Sequence, residues 1–301
     1  MLVQGKWVAD WQPVQAKDEK GGFVRQTSSF RNWVTPDGAP GPSGEGGFAA
    51  ESGRYHLYVS YACPWAHRTL IFRTLKQLED LISVSVVDYV MLENGWELAP
   101  GADPVNGKRF LYEVYTEVKP DMSGRVTVPV LWDKREGTIV SNESSEIIRM
   151  LNSAFDGIGA KPGDYYPAAL REEIDAVNTR VYHTVNNGVY KAGFAGSQEA
   201  YEKAFNELFE SLDWLEERLS DRRYLVGNQL TLADVFLYPT LIRFDMVYHN
   251  HFKCNRNKIA EMPNLWGYLR DLFQTPGFGD TTNFQQIKDH YFLVHTDINP
   301  T

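Results

Sequence analysis

Residues 55–68, which read YHLYVSYACPWAHR, decide the fold of this chain. Positions 55–60 are rich in aromatic and β-branched residues, and this composition predicts a short buried strand. Pro64 fits the first turn of a helix, because the N–H that proline lacks would have no partner there. Apolar residues at helical spacing follow directly after Arg68. The stretch therefore predicts a strand, a tight turn and a helix, with Cys63 at or just before the helix N-terminus.

Cys63 is the first candidate catalytic residue. Unpaired backbone N–H groups and the positive end of the helix dipole favour a thiolate at this position. Such surroundings can lower a cysteine pKa from about 8.5 to about 3.5–7.5. The alternative is a small buried cysteine that only fills space, but this is not typical directly before a proline at a strand-to-helix turn. We therefore expect Cys63 to be reactive.

The sequence supplies no second thiol beside Cys63. Position 66, where a Cys-x-x-Cys pair would have its resolving cysteine, is Ala66. The other cysteine, Cys254, is distant in sequence, and a buried structural thiol is the better interpretation of it. A mixed disulfide on Cys63 must then be resolved by an external thiol. Glutathione is the abundant cytosolic candidate.

The composition argues against several classes of protein. A chain of 301 residues, 43% of them hydrophobic, is long enough for two domains with real cores. The net charge of −9 gives no reason to expect nucleic-acid binding, and no apolar run is long enough to span a membrane. The N-terminus is too polar for a signal peptide, and two cysteines favour the reducing cytoplasm. The histidines are scattered, so we expect no metal site.

Residues 1–53 form an N-terminal extension without a periodic element. Gly- and Pro-rich loops alternate there with aromatic residues, among them Trp7, Trp11, Phe23, Phe30 and Trp33. Disordered segments are usually poor in aromatic residues. We therefore expect an ordered coat that wraps over the following domain.

Residues 54–160 are predicted to form an α/β domain of the thioredoxin-like type. After the first strand and helix, positions 81–87 read as a second strand, which gives a parallel βαβ unit. A long irregular insertion is expected at 88–124. Two strands at 126–132 and 137–141 then form a hairpin.

Pro129 and the end of the hairpin mark a candidate site. A proline inside a strand pattern indicates an edge, a bulge or a cis peptide bond, and cis bonds tend to lie where a site requires them. A helix at 142–152 follows, with Ser141 or Asn142 as its cap and an acid in its first turn.

Residues 165–301 are predicted to form an all-α domain. Apolar positions spaced by three and four residues predict helices at 170–185, 197–220, 232–248 and 264–273. Thr231 and Asp234 have the spacing of a capping box.

A thioredoxin-like half followed by a helical half resembles a glutathione transferase fold. Several motifs are similar to those of one class of that superfamily: CPWAHR at 63–68, MLENGW at 91–96, SGRVTVPVLWD at 123–133, SNES at 141–144, NNGVYKAGF at 186–194, FDMVY at 244–248 and IKDHY at 287–291. By this set the chain resembles the xi class, the glutathionyl-hydroquinone reductases. The resemblance runs from Gly5 to the end of the chain and implies a homodimer.

A glutathione site can be argued from three groups. Val128 would offer its backbone N–H and C=O to the glutathione backbone, like an added strand. Glu143 can take the γ-glutamyl ammonium, and Ser144 with the helix N-terminus can take its carboxylate. Plain helix capping is the alternative for both side chains, and both roles can hold at once. The resemblance implies further contacts from Trp96, Arg125, Val126, Thr127 and Pro129; core packing is the alternative for Trp96.

The resemblance also implies a reaction. The Cys63 thiolate attacks the sulfur of a glutathionyl-hydroquinone, the hydroquinone leaves, and a second glutathione resolves the mixed disulfide. An aryl carbon is a poor leaving group, so a proton donor is required. The resemblance assigns that role to Tyr190, and it implies that Tyr248 and Tyr291 bind near the substrate and help keep Cys63 ionised. The substrate ring is expected in an aromatic pocket between the two domains.

Three other functions stay open at this point. An omega-like thiol transferase or dehydroascorbate reductase fits Cys63-Pro64 equally well, but it does not explain the three tyrosines. A non-catalytic module with a glutathione transferase fold is disfavoured by the complete set of Cys63, Pro129 and the Glu143-Ser144 pair. A conjugating transferase is least favoured, because conjugation requires a Ser or Tyr that activates glutathione.

Overall fold

The computed structural model describes residues 1–9 and 17–299, so Trp11, Pro300 and Thr301 lie outside the described part. The chain forms two compact units, each assembled from separate segments. Unit 1 consists of Met1–Pro13, Gln26–Gly163 and Asp280–His290, and unit 2 consists of Val14–Arg25, Asp164–Gly279 and Tyr291–Thr301. The domain limits expected from the sequence are continuous, whereas these units are not.

Unit 1 contains a short N-terminal ladder and a four-stranded mixed sheet. The strands are β1 Leu2–Val3, β2 Lys6–Trp7, β3 Tyr55–Val59, β4 Ile82–Val86, β5 Val130–Asp133 and β6 Thr138–Ser141. The sheet has the order β4-β3-β5-β6, with β3 parallel to β4 and β5 antiparallel to both of its neighbours. Every residue of β3 is buried, as its aromatic and β-branched composition predicts. The predicted βαβ unit and hairpin are both present.

Three helices lie wholly in the described part of this unit: α1 Pro64–Leu75, α2 Leu111–Val118 and α3 Ser144–Ser153. Helices α1 and α3 pack against each other, and Arg68 in the first half of α1 contacts Ser144 at the start of α3. Helix α2 lies in the stretch that the sequence analysis left irregular. Its buried residues Leu111, Val114 and Tyr115 have helical spacing, but the run is too short to stand out from the surrounding loops.

The third strand begins later than the sequence predicts. Strand β5 starts at Val130, and residues 126–129 form an irregular segment in front of it. The Val128–Pro129 peptide bond in this segment is cis. Proline has no N–H to donate to a sheet ladder, so the hairpin pairing begins only after it.

The described residues of the N-terminal extension divide between the units. Residues 26–53 belong to unit 1, where Trp33, Val34 and Phe48 are buried. The backbone N–H of Asn32 donates to the carbonyl of Val140 on β6 at 2.9 Å. Residues 17–25 belong to unit 2 instead.

Unit 2 is helical. Its helices are α4 Arg171–Val181, α5 Gly188–Gly193, α6 Gln198–Arg218, α7 Leu232–Arg243, α8 Pro263–Gln274 and the last turn of α9 Phe284–Val294. Two π-helical turns, Tyr182–Asn186 and Phe244–Tyr248, continue α4 and α7. The helices predicted from apolar spacing are present, and α5 and α9 are additional. No helix in residues 1–9 and 17–299 is long and apolar enough to cross a membrane.

Candidate active site

Cys63 is the N-cap residue of α1. Its backbone is extended, with φ −76° and ψ 121°, and Pro64 occupies the first helical turn, as predicted. The side chain is only 8% exposed. Its Sγ lies 3.6 Å from the carbonyl oxygen of Val128. A carbonyl oxygen does not stabilise an anion, so the favourable field for a Cys63 thiolate comes from the N–H groups and dipole of α1.

The segment from Arg125 to Val128 is held from one side by Tyr115 of α2. The Tyr115 hydroxyl donates to the carbonyl oxygen of Thr127 at 2.8 Å and accepts from the Asn142 amide at 3.2 Å. Val128 itself is buried beside the Cys63 sulfur, whereas Arg125, Val126 and Thr127 are half-buried. A peptide that extends the sheet here would meet the backbone of Val128 next to the sulfur.

Glu143, rather than Ser141 or Asn142, is the N-cap of α3. Its Oε1 accepts from the Ser145 backbone N–H at 3.1 Å, and its Oε2 accepts from the Ser28 hydroxyl at 2.9 Å. The predicted caps were wrong for a physical reason. Ser141 ends β6, and the Asn142 side chain is engaged by the N-terminal extension and Tyr115.

Ser144 is the first residue of α3 and is buried. Arg68 of α1, which is also buried, donates from Nη1 to the Ser144 hydroxyl at 3.3 Å. A guanidinium, a hydroxyl and the start of a helix therefore lie together, and this combination favours a carboxylate. Arg68 is a site residue that sequence reasoning missed, because no local pattern indicates that it meets α3.

Trp96 is 8% exposed and stacks on His290 with 5.4 Å between ring centroids and 11° between planes. Nδ1 of His290 lies 2.6 Å from the carbonyl oxygen of Tyr89, a distance at which the ring donates its proton to that oxygen. The His290 ring is thereby fixed, and it fixes the indole in turn. His290, which lies in α9, is a second residue that the sequence did not indicate.

The three predicted tyrosines meet in unit 2. The Tyr190 hydroxyl lies 2.5 Å from that of Tyr291 and 3.5 Å from that of Tyr248, and the latter two are 2.9 Å apart. Tyr190 belongs to α5, Tyr248 to the π turn after α7 and Tyr291 to α9. Three separate elements therefore bring the three hydroxyl groups within hydrogen-bond distance of one another. Core packing of tyrosine rings alone does not require such contacts between hydroxyls.

The three phenols differ in exposure. Tyr248 and Tyr291 are completely buried, whereas Tyr190 is half-buried. Burial raises the pKa of Tyr248 and of Tyr291 well above the ordinary value, and a negative charge on Tyr190 would raise both further. The two buried phenols thus keep their protons and can donate hydrogen bonds to Tyr190. Tyr190 is the member of the trio that is partly exposed to solvent.

The predicted site residues therefore fall into two sets. Unit 1 holds Cys63 with the predicted glutathione contacts, and unit 2 holds the three tyrosines. Cys254 joins neither set. It is fully buried, burial raises the pKa of its thiol, and neither cysteine is in a disulfide. In the described part of the chain, no group of three His, Cys, Asp or Glu side chains could hold a metal ion.

Comparison with known families agrees with this geometry. Residues 62–154 match the family described as glutathione S-transferase, N-terminal domain. Residues 198–271 match the family described as glutathione S-transferase, C-terminal domain. The fold and the cysteine at the start of α1 are those of a glutathione S-transferase with a cysteine-type site.

Relatives that match over the full length of the chain show which class of glutathione S-transferase it resembles most. Glutathionyl-hydroquinone reductase YqjG of Escherichia coli K12 is 59% identical over 100% of this chain and 92% of its own length. Glutathionyl-hydroquinone reductase PcpF of Sphingobium chlorophenolicum is 52% identical over 100% and 94%. The glutathione-bound structure of YqjG superimposes with a TM-score of 0.90 at 57% identity, covering 99% of this chain and 92% of that one.

The glutathione S-transferase Xi of Phanerochaete chrysosporium gives the same TM-score of 0.90 at 51% identity, with 99% of this chain and 95% of that chain covered. These similarities extend over both units and all of the site motifs. The chain belongs to the xi class of the glutathione S-transferases, the glutathionyl-hydroquinone reductases, and it is an enzyme. The resemblance stated from the sequence motifs is thereby confirmed.

Proposed function

We propose that this enzyme reduces glutathionyl-hydroquinones with glutathione, and releases the free hydroquinone and glutathione disulfide. The observation that carries the proposal is the tyrosine trio. A thiol at the start of α1 suits any cysteine-type member of the superfamily, but disulfide exchange does not require a phenolic acid. Carbon–sulfur cleavage does, because the ring carbon must take up a proton.

Glutathione is the co-substrate and also forms one part of the thioether substrate, and we place its site around Cys63. The backbone of Val128 beside Pro129 binds the peptide backbone of glutathione. Ser144 and the N-terminus of α3 bind the γ-glutamyl carboxylate, and the buried guanidinium of Arg68 strengthens that subsite. Glu143 binds the γ-glutamyl ammonium while it caps α3. Trp96, Arg125, Val126 and Thr127 complete the surroundings.

The first half-reaction breaks the carbon–sulfur bond. Tyr190 gives its proton to the ring carbon that carries sulfur, and this makes the hydroquinone ring a competent leaving group. The Cys63 thiolate attacks the glutathione sulfur, and the electron pair of the carbon–sulfur bond passes to the ring. The products are the free hydroquinone and a Cys63–glutathione disulfide. The Tyr190 phenolate is stabilised by hydrogen bonds from the hydroxyls of Tyr248 and Tyr291.

The second half-reaction restores the enzyme. A second glutathione ionises, and its thiolate attacks the glutathione sulfur of the mixed disulfide. Cys63 leaves as a thiolate, which its place at the helix N-terminus favours. The proton released by the second glutathione returns to Tyr190. One thioether and one glutathione thus give one hydroquinone and one glutathione disulfide.

The test is steady-state reduction of a glutathionyl-menadiol thioether in the presence of glutathione. We expect the wild-type enzyme to release menadiol and Cys63→Ser to release none. Cys254→Ser is the matched control, because its thiol is buried and inert, and it should retain wild-type turnover. Near-normal turnover by Cys63→Ser would contradict the mechanism.

An omega-like thiol transferase or dehydroascorbate reductase is the second candidate, and the lone thiol of Cys63 favours it. The two functions are separated by assaying dehydroascorbate against the thioether at equal concentrations. A higher kcat/KM for the thioether supports the reductase, and a higher value for dehydroascorbate supports the second candidate. If the protein showed neither activity, the result would support the third alternative, a non-catalytic binding module.

We further propose that the enzyme acts in the cytoplasm as a homodimer. The absence of a disulfide between its two cysteines suits a reducing compartment. The superfamily to which it belongs supports the dimer. Light scattering on a size-exclusion column should give twice the mass of the 34.3 kDa chain, and a monomer mass would contradict the proposal.

A further inference from the structure

A cation lies on the face of the proposed proton donor. The guanidinium carbon of Arg25 is 5.1 Å from the centroid of the Tyr190 ring. Arg25 belongs to the short N-terminal segment 17–25, which is part of unit 2 although the rest of that unit begins at residue 164. The resemblance to the xi class implied no role for Arg25, and no local sequence pattern distinguishes it.

The Arg25 side chain is fixed in this position by two contacts. Its Nε–H donates to the side-chain oxygen of Asn187, a buried residue one helical turn before Tyr190. Its guanidinium also lies over the ring of Phe23, at 5.4 Å from the centroid. The cation is therefore directed at the tyrosine by groups on both sides and does not move freely in solvent.

The segment that carries Arg25 is itself tied to unit 2. The Gly196 N–H donates to the carbonyl of Gly21 at 2.8 Å, and the Ser197 hydroxyl donates to the carbonyl of Lys20 at 2.8 Å. Phe23 is buried against Phe194, with 5.6 Å between ring centroids. These contacts hold a residue from the far N-terminus of the chain on an element of the catalytic trio.

A fixed positive charge at this distance acts on the ionisation of the phenol. It attracts the π face of the neutral ring, but it stabilises a full negative charge on the oxygen more strongly, so it favours the phenolate. The surrounding rings of Phe194 and Phe252 keep the local polarity low, which strengthens the attraction. The phenolate is the form that Tyr190 adopts when it has given its proton to the substrate.

We propose that Arg25 is a positioning residue for catalysis: through its stacked guanidinium it makes Tyr190 the acid of the trio and holds the ring in place. The inference rests on the proposed function of Tyr190 as proton donor. Arg25 needs no contact with substrate for this role. It acts by stabilising the negative charge that Tyr190 acquires in the first half-reaction.

Other ionisable groups among the described residues also face the trio. They include Arg243 at the end of α7, His251 shortly after the π turn, and His295 directly after α9. Arg243 is completely buried, and its charge lowers the pKa of both Tyr248 and Tyr291 against the larger effect of burial. Arg25 is the cation stacked on Tyr190 itself.

The test uses Arg25→Met, which keeps a long side chain without charge, and Arg25→Lys, which keeps the charge without the planar stack. Tyrosinate absorbance is titrated against pH in each protein, and the Tyr190 signal is identified by its loss in Tyr190→Phe. Arg25→Met should raise the pH at which Tyr190 ionises by about one unit or more, and Arg25→Lys should restore part of the difference. Arg171→Met is the matched control, because Arg171 stacks on Tyr166 at 4.9 Å elsewhere in unit 2.

Two readouts separate the inference from the proposed function. An unchanged Tyr190 titration in Arg25→Met, or an equal shift in Arg171→Met, would overturn the inference. If the titration shifts and turnover of the thioether falls about tenfold while glutathione exchange at Cys63 is unchanged, both stand. If the titration shifts but turnover does not, the role of Arg25 toward Tyr190 stands and the assignment of Tyr190 as proton donor is wrong.

Discussion

At the residue scale, the two cysteines of this chain show how position decides reactivity. Cys63 caps a helix whose N–H groups favour an anion, and it touches the backbone on which a glutathione would lie. Cys254 is buried without such a field, and the pKa of its thiol is raised by that burial. We therefore propose that the same chemical group is a nucleophile at Cys63 and a packing residue at Cys254.

Tyr190 is the residue whose removal best separates the two reactions that Cys63 can perform. Tyr190→Phe removes the proton that the ring carbon needs, so turnover of a glutathionyl-hydroquinone should fall by about 10²-fold or more. Exchange of glutathione disulfide at Cys63 should remain largely unchanged, because no carbon is protonated. Both rates are measured on the same preparation.

Tyr201→Phe is the control for loss of a phenol, since its hydroxyl donates to the Lys253 carbonyl at 2.7 Å and belongs to no trio. It should leave both rates near wild-type. An equal loss of reductase and exchange activity in Tyr190→Phe would remove its assignment as the acid.

Residue-level prediction from the sequence succeeded where the signal was local. The cysteine before Pro64 is at a helix N-terminus, and Glu143 and Ser144 open α3. It failed where partners are far apart in the chain. Arg68 on Ser144, His290 on Trp96 and Arg25 on Tyr190 are all contacts between distant segments, and no periodicity or motif in a single sequence encodes them.

At the element scale, the N-terminus of α7 carries a cluster of buried polar contacts outside the site. The Asp234 carboxylate accepts hydrogen bonds from the N–H of Thr231 at 2.8 Å, the N–H of Leu225 at 3.0 Å and the hydroxyl of Tyr268 at 2.7 Å. The capping box predicted from Thr231 and Asp234 is confirmed. It joins α7, α8 and the loop before α7.

Asp234→Ala should therefore be costly for stability. It leaves the N–H groups of Thr231 and Leu225 and the hydroxyl of Tyr268 without this acceptor, and the free energy of unfolding should fall by about 3–5 kcal/mol. Chemical denaturation followed by circular dichroism measures the loss. Glu113→Ala removes the half-buried acid in the first turn of α2, which accepts from the Phe110 N–H at 2.9 Å, and should cost about 1 kcal/mol or less. Equal losses in the two variants would show that burial does not govern the effect.

The N-terminal extension is the element that the sequence described least completely. Its aromatic residues predict an ordered coat, but composition does not reveal where each part lies. Ser28 contacts Glu143 in unit 1, whereas Arg25, three residues earlier, contacts Tyr190 in unit 2. Each contact depends on tertiary packing between segments more than a hundred residues apart.

At the scale of the whole molecule, each unit contains a buried histidine that is held neutral. His56 in β3 and His251 in unit 2 are both fully buried, and burial lowers the pKa of each to about 4. In the unfolded chain the same groups titrate near 6.5. Between pH 6.5 and 4 the unfolded chain thus binds more protons than the folded enzyme.

The contribution of these two histidines to the free energy of unfolding should therefore be complete above pH 6.5. It should fall progressively between pH 6.5 and 4 and change no further below pH 4. Each histidine contributes about 3 kcal/mol to this loss, at 1.36 kcal/mol per pKa unit. Unfolding free energies measured by denaturant across this range test the prediction. His251→Phe should flatten the dependence, because both ring nitrogens of His251 are buried without a hydrogen-bond partner among the described residues. His183→Gln, at an exposed position, should leave the dependence unchanged; a His251→Phe curve with the wild-type slope would contradict the account.

The central claim for the molecule is that Cys63 takes glutathione from a glutathionyl-hydroquinone as a mixed disulfide. A single-turnover experiment without free glutathione tests it most directly. Enzyme and thioether are mixed in equal amounts, the released hydroquinone is quantified, and the glutathione adduct is located by mass spectrometry of peptides. We predict one hydroquinone released per enzyme chain and one glutathione on Cys63, removable by added glutathione. Hydroquinone release without an adduct, or an adduct on Cys254, would contradict the account.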